Sequence, residues 1–219
     1  MAARMRRAEV LGLRGEDSEA AFAQLEQHVA ESTETQAIAS VDEAHAGVAL
    51  ARGDTRRALE LARRSYERMI GPDSFSLQVA ARAAAWLGDA GAVSDVLKIL
   101  DGEPGRVPAV VRREGQAALA ALDGRRSEAL VGFHDAIRRW RELGLEFEAA
   151  VCALNLVTLL GPSEPEVQTA ADDAAALFER VGAKPMQKLL DAALRAPRTP
   201  VAQPATERAR APTARARSE

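Results

Sequence analysis

Aromatic residues are scarce in this 219-residue chain: one tyrosine, two tryptophans and five phenylalanines, 4% in all, against 47% hydrophobic residues. Alanine therefore carries much of the apolar content, which suits closely packed thin layers better than one deep core of large side chains. The single cysteine, Cys152, excludes an internal disulfide framework. It stands in an apolar helical run and reads as a buried, inert thiol. Lysine occurs only at Lys98, Lys184 and Lys188, so arginine supplies nearly all the positive charge. The net charge of −3 argues against a strongly electrostatic nucleic-acid binder. No apolar run approaches the roughly 20 residues needed to cross a bilayer. Arg4, Arg6 and Arg7 are followed by Glu9, Gly12 and Arg14, which break any signal-peptide pattern. A cytoplasmic protein without a membrane role is expected.

Catalytic and metal signatures are missing as well. No G-x-x-x-x-G-K-[ST] phosphate loop occurs. His28, His45 and His134 each stand alone, without a metal-spaced Cys or His partner. Carboxylates pair up at Asp172-Asp173 and at Glu146 with Glu148. Adjacent helical residues point about 100° apart, so Asp172 and Asp173 read as solvent-face charge and not as an acid–base pair. Ser163 reads as a helix cap. No nucleophile, base and orienting group can be assembled. The expectation is a non-enzyme with no cofactor and no metal.

What is present is a repeat. From Val107 to Gly144 the chain reads as two helices joined by a tight turn at Gly124. Pro108 suits a first helical turn, and Gly124 suits a left-handed C-cap. Ala129, Leu130, Phe133, Ile137 and Trp140 form one face of a 3.6-residue helix, with Arg138, Arg139 and Arg141 toward water. The punctuation recurs. Gly15, Gly53, Gly88, Gly124 and Gly161 are separated by 38, 35, 36 and 37 residues. Seven residues before them stand Ala8, Ala46, Ala81, Ala117 and Leu154. Five residues after the first four stand Ala20, Ala58, Val93 and Ala129. A period in the mid-thirties with small residues at fixed offsets predicts stacked helical hairpins. The competing reading is an Ala-rich bundle with coincidental glycines.

At Ala117, Gly124, Ala129, Phe133 and Ala136, and again at Arg52-Gly53-Asp54 with Ala58 and Leu59, the chain resembles the tetratricopeptide repeat family. The resemblance covers roughly residues 1 to 182. The family's large aromatics of the first helix are replaced here by Ala49, Ala84 and Ala120, and its closing proline is matched approximately by Pro72. The resemblance implies an all-α fold, a right-handed α-solenoid of about five antiparallel helix pairs plus a C-terminal closing helix. It implies a concave groove lined by the first helix of each pair, and no enzymatic activity. The groove positions it indicates are Glu43, Gly47, Gln78, Arg82, Glu114 and Asn155. Arg82 and Asn155 would hydrogen-bond a peptide backbone or carboxylate, and Glu43 and Glu114 would favour a cationic segment. The lysines of the family's carboxylate clamp have no match here.

A second stretch, Arg141-Glu142-Leu143-Gly144 through Leu160 to Ala175–Pro185, resembles the C-terminal end of the helical-repeat arm in large bacterial regulators. Those join a STAND-type ATPase to a nucleotide cyclase or DNA-binding domain. The resemblance implies an upstream ATPase, cyclase or DNA-binding partner. The first helix, from Ala3 to Leu13, carries Val10, Leu11 and Leu13 with no preceding polar cap, which fits an arm of a larger regulator.

Along the chain, Asp17 and Ser18 are expected to cap a second helix, and Asp54 a fourth. Glu31-Ser32-Thr33-Glu34-Thr35 is expected as a polar connection, and Gly71-Pro72-Asp73-Ser74 as a break before a helix with Phe75, Val79, Ala83 and Leu87 inward. Asp101–Gly105 is the candidate flexible joint. Ser163 and Glu166 suggest a capping box before a helix facing inward through Val167, Ala170, Ala174, Leu177 and Val181. Pro185 opens a last helix with Met186, Leu189, Leu190 and Leu194. Residues 1–195 thus form the repeat domain. Residues 196–219 are expected to be a disordered Arg/Pro/Ala-rich tail, with five arginines against Glu207 and Glu219.

The functional expectation is a non-catalytic protein- or peptide-binding scaffold, the sensor or interaction arm of a bacterial signalling or transcriptional regulator. The alternative is a nucleic-acid-associated regulator acting through the basic tail.

Overall fold

The periodic glycines end helices. The computed structural model describes residues 1–30, 35–69 and 74–196, and among these the chain is all-α. The helices are α1 (Ala2–Leu13), α2 (Glu19–Ala30), α3 (Thr35–Ala51), α4 (Thr55–Arg68), α5 (Ser74–Trp86) and α6 (Ala90–Leu100). They continue with α7 (Arg106–Leu122), α8 (Arg126–Glu142), α9 (Glu146–Leu160), α10 (Pro165–Val181) and α11 (Lys184–Arg195). The expected connection at residues 31–34, the break at residues 71–73 with its proline, and the tail from Pro197 lie outside the described residues.

The turns share one hydrogen-bond pattern. The Gly124 N–H donates to the Ala121 carbonyl at 3.0 Å, and the Arg125 N–H donates to Ala120 at 2.8 Å. Gly53 and Asp54 repeat this on Leu50 and Ala49, and Gly88 and Asp89 on Ala85 and Ala84. Each pair of bonds satisfies carbonyls that a helix end leaves open, and it requires a left-handed residue at the turn. Gly124 supplies it with φ +75°. Asp54 and Asp89 then cap the following helices, accepting from the Arg57 and Ala92 N–H groups. One residue thus closes a helix and opens the next. Gly161 differs: its backbone is extended in ψ, and only its bond to Val157 closes α9.

Helices pack in chain order, and a second rule sits on top. The helices α1, α3, α5, α7 and α9 also pack on one another. Among the described residues, α2, α4, α6, α8 and α10 pack only on their sequence neighbours. The odd-numbered helices therefore form an inner layer and the even-numbered ones an outer layer. Inner helices are covered on more than one side, which is why α9 buries ten residues, from Ala149 to Leu160. The alanines let these layers approach. Ala117 of α7 meets Gly132 of α8 so closely that a Cβ at Gly132 would lie 2.7 Å from the Ala117 Cβ.

The last helix does not continue the row. Besides α9 and α10, α11 packs on α1 and α3, burying Met186 and Leu190. Pro185 sits at the Gly15 turn and Leu189 at the Gly53 turn. The inner face is therefore partly covered by the chain's own final helix, where an open concave groove was expected.

Three local expectations are corrected. In α5, Phe75 and Leu87 are exposed, while Leu77, Ala80, Ala81 and Ala84 carry the core face. The helix is so rich in alanine that periodicity does not single out one stripe. In α10, Pro165 fixes the helix start, so Glu164 and not Ser163 occupies the cap, without a side-chain cap bond; its carboxylate instead takes Arg126 Nε at 2.6 Å. Val181 at the far end of α10 is exposed, and Phe178 takes the buried place. The Asp101–Gly105 loop, expected as a joint, is tied down by Arg112, whose Nη1 donates to the carbonyls of Leu100 and Glu103.

The α7–α8 approach gives a direct check. Gly132→Ala is expected to destabilise the fold. Overpacking costs about 1–3 kcal/mol, against about 1 kcal/mol gained in helix propensity. Urea melts of Gly132→Ala alone and together with Ala117→Gly measure it; the second change is expected to relieve the overpacking.

Candidate functional site

A buried arginine joins three inner helices. Arg82 of α5 is 4% exposed and Glu114 of α7 is 3% exposed. Arg82 Nε donates to Glu114 Oε1 at 2.7 Å, and Nη2 donates to Oε2 at 3.1 Å, a two-pronged pair. From α9, the Glu148 carboxylate accepts from Nη1 at 2.7 Å and its backbone carbonyl from Nη2 at 3.2 Å. Glu114 also accepts from the Trp140 indole N–H of α8 and from the Asn155 amide of α9. Asn155 in turn accepts from the Trp86 indole. Buried charges are tolerated only when their remaining hydrogen-bonding capacity is met, and the Glu114 carboxylate accepts four such bonds.

The titration behaviour follows. Burial alone raises the Glu114 carboxyl, but the Arg82 charge and the bonds from Arg82, Trp140 and Asn155 outweigh it and hold the group below its ordinary value. Burial lowers the Arg82 guanidinium, and the charges of Glu114 and Glu148 more than restore it, so it stays protonated. Cys152 is fully buried beside Glu114, and burial pushes its thiol well up. A thiol held neutral is a poor nucleophile.

In front of this network lies a cavity of about 180 Å³. Its polar lining is Arg6 and Glu9 from α1, Glu43 from α3, Gln78 and Arg82 from α5, and Glu148 from α9. Leu13, Val79, Phe147 and Met186 are among its apolar walls, Met186 coming from α11. Arg6 pairs with Glu9 at 2.7 Å on the α1 side. The Gln78 side chain is 2% exposed, and its Nε2 has no hydrogen-bond partner.

The residues indicated for the groove fall into two groups. Glu43, Gly47, Gln78 and Arg82 line the cavity. Glu114 and Asn155, 3% and 1% exposed, lie behind it and bond to Arg82, Trp140 and Trp86. The repeat register thus brought distant residues together, but their exposure as a solvated groove is corrected: the Arg82 guanidinium is engaged by its own chain. Glu148, Trp86 and Trp140 were missed as partners. Glu148 stands seven residues, about two turns, before Asn155, so it shares a face with it. A buried indole N–H needs an acceptor, which would have pointed from Trp140 toward a carboxylate. Among the described residues, no cluster of three or more His, Cys, Asp or Glu residues is arranged to hold a metal ion, and no helix is long and apolar enough to cross a membrane.

The pair makes stability depend on pH. Glu114 binds its proton less readily folded than unfolded, so its contribution is fully present above the ordinary value of 4.5 and fades as the pH falls below it. Glu114→Gln is expected to cost about 3–5 kcal/mol at neutral pH, because Arg82 is left under-compensated, and to flatten the loss of stability from about pH 5 downward. Denaturant melts across that range check both. Arg82→Met with Glu114→Leu is expected to cost less than the two single changes summed.

Compared with protein families, curated proteins and solved structures, the chain matches none.

Proposed function

We propose that this chain is a non-catalytic scaffold that binds a protein or peptide segment. In this reading the eleven described helices are a right-handed solenoid of five antiparallel pairs closed by α11, similar to tetratricopeptide repeats. The chain serves as the sensor or interaction arm of a bacterial signalling or transcriptional regulator. The observation that carries the binding role is the convergence of α1, α3, α5, α9 and α11 on one cavity with both polar and apolar walls. Residues far apart in sequence supply that lining, so the fold presents a recognition surface that no single helix holds. The nearby reactive groups favour binding over chemistry. The Cys152 thiol is buried and neutral, and the Glu114 carboxylate is buried and committed to four donors. The turn pattern shared by Gly53, Gly88 and Gly124 supports the repeat reading. The regulatory assignment rests on the Leu143–Pro185 resemblance.

Glu43 is half-buried at the cavity, outside the Arg82–Glu114 network, and therefore separates binding from folding. Affinity purification with the native chain and with Glu43→Lys is the test. The variant is expected to lose a specific partner while circular dichroism and the melting temperature stay unchanged. An identical set of captured proteins with both chains would count against the scaffold reading.

A further inference from the structure

The cavity also indicates what chemistry enters it. Around and directly behind it, four carboxylates (Glu9, Glu43, Glu148 and Glu114) face two guanidiniums, Arg6 and Arg82. The balance is negative, so a cationic group is attracted and a carboxylate is repelled. Arg82 offers a carboxylate little, since four of its five N–H donors are spent on Glu114 and Glu148.

Gln78 adds a second demand. It is buried, it lines the cavity, and its Nε2 has no partner within the protein. A buried donor left unsatisfied is costly, so the site is completed by an oxygen acceptor. Given the charge balance, that oxygen belongs to a neutral carbonyl. Gln78 lies one helical turn before Arg82, which holds Glu148, so the amide donor and the carboxylate wall are neighbours.

A cation beside a neutral carbonyl oxygen is the chemistry of a peptide N-terminus, where the α-ammonium and the first carbonyl are joined through one carbon. The space fits this. Pockets for whole drug-sized ligands run from about 300 to 1,000 Å³, so a cavity of about 180 Å³ admits one residue and not a folded segment. The Leu13, Val79, Phe147 and Met186 walls would receive its side chain.

We propose that the cavity captures the N-terminal residue of a peptide: Glu9, Glu43 and Glu148 face the α-ammonium, and the Gln78 amide donates to the first carbonyl. The proposal rests on the peptide-binding reading above and specifies its ligand. The negative wall attracts the charge; the Gln78 donor selects amines that carry a neighbouring carbonyl.

Calorimetric titration of the full chain with four small probes tests it. Leucinamide has both groups, N-acetylleucinamide lacks the cation, isoamylamine lacks the carbonyl, and leucine adds a carboxylate. Leucinamide is expected to bind with a Kd below about 1 mM. Acetylation is expected to weaken it at least about tenfold, the loss expected of a charge-assisted contact. Isoamylamine and leucine should both bind more weakly than leucinamide. Gln78→Leu removes an unpartnered polar group and so should fold at least as stably. It should reduce leucinamide to the level of isoamylamine and leave isoamylamine itself unchanged. Equal binding of leucinamide and its acetylated form would overturn the proposal, as would leucine binding tightest, or leucinamide not binding at about 1 mM. If the probes fail while Glu43→Lys still abolishes partner capture, the N-terminus inference falls and the scaffold reading stands.

Discussion

The Arg82–Glu114 pair constrains everything around it. Two charges, 4% and 3% exposed, can remain ionised inside a helical protein only if each finds nearly all its partners there. Those partners come from α5, α7, α8 and α9, and Trp86 extends the network through Asn155. A shift of any of these helices by one turn would strand a charge. Alanine-rich surfaces slide easily on one another because small side chains interlock weakly. The polar network supplies the directional register that alanines do not, and it sits where the inner layer is most enclosed.

The turn chemistry does the complementary work along the chain. Gly53, Gly88 and Gly124 end inner helices with the same pair of backbone bonds. Asp54 and Asp89 pass directly from closing one helix to capping the next. Short, identical turns keep the layers in phase, so residues 30 to 70 positions apart, such as Arg82, Glu114 and Glu148, arrive at one place. The cavity in front of them is a product of that phasing.

Much of this was legible in the sequence. The glycine period located the inner helix ends, and Ala117 at its fixed offset marked a close helix approach. The same register selected Gln78, Arg82, Glu114 and Asn155, which the fold does assemble. Depth was not legible. Periodicity tells which residues share a face but not how many layers cover it, and α5 and α9 are apolar nearly all round. Arg82 therefore read as exposed when it is enclosed. Glu148 read as part of a solvent-facing carboxylate pair, because only the third dimension brings Arg82 to it. The return of α11 onto α1 and α3 was also hidden, since a helix's apolar stripe does not name its partner.

That return has a consequence for how such a chain can change. An open row of hairpins can lengthen by duplication, each new unit stacking on the last. Here the closing helix must touch α9 and α10 at one end and α1 and α3 at the other. Inserting one more hairpin would carry its docking site out of reach. Repeat number is thereby locked by ring closure, and diversification is confined to substitutions within the existing frame.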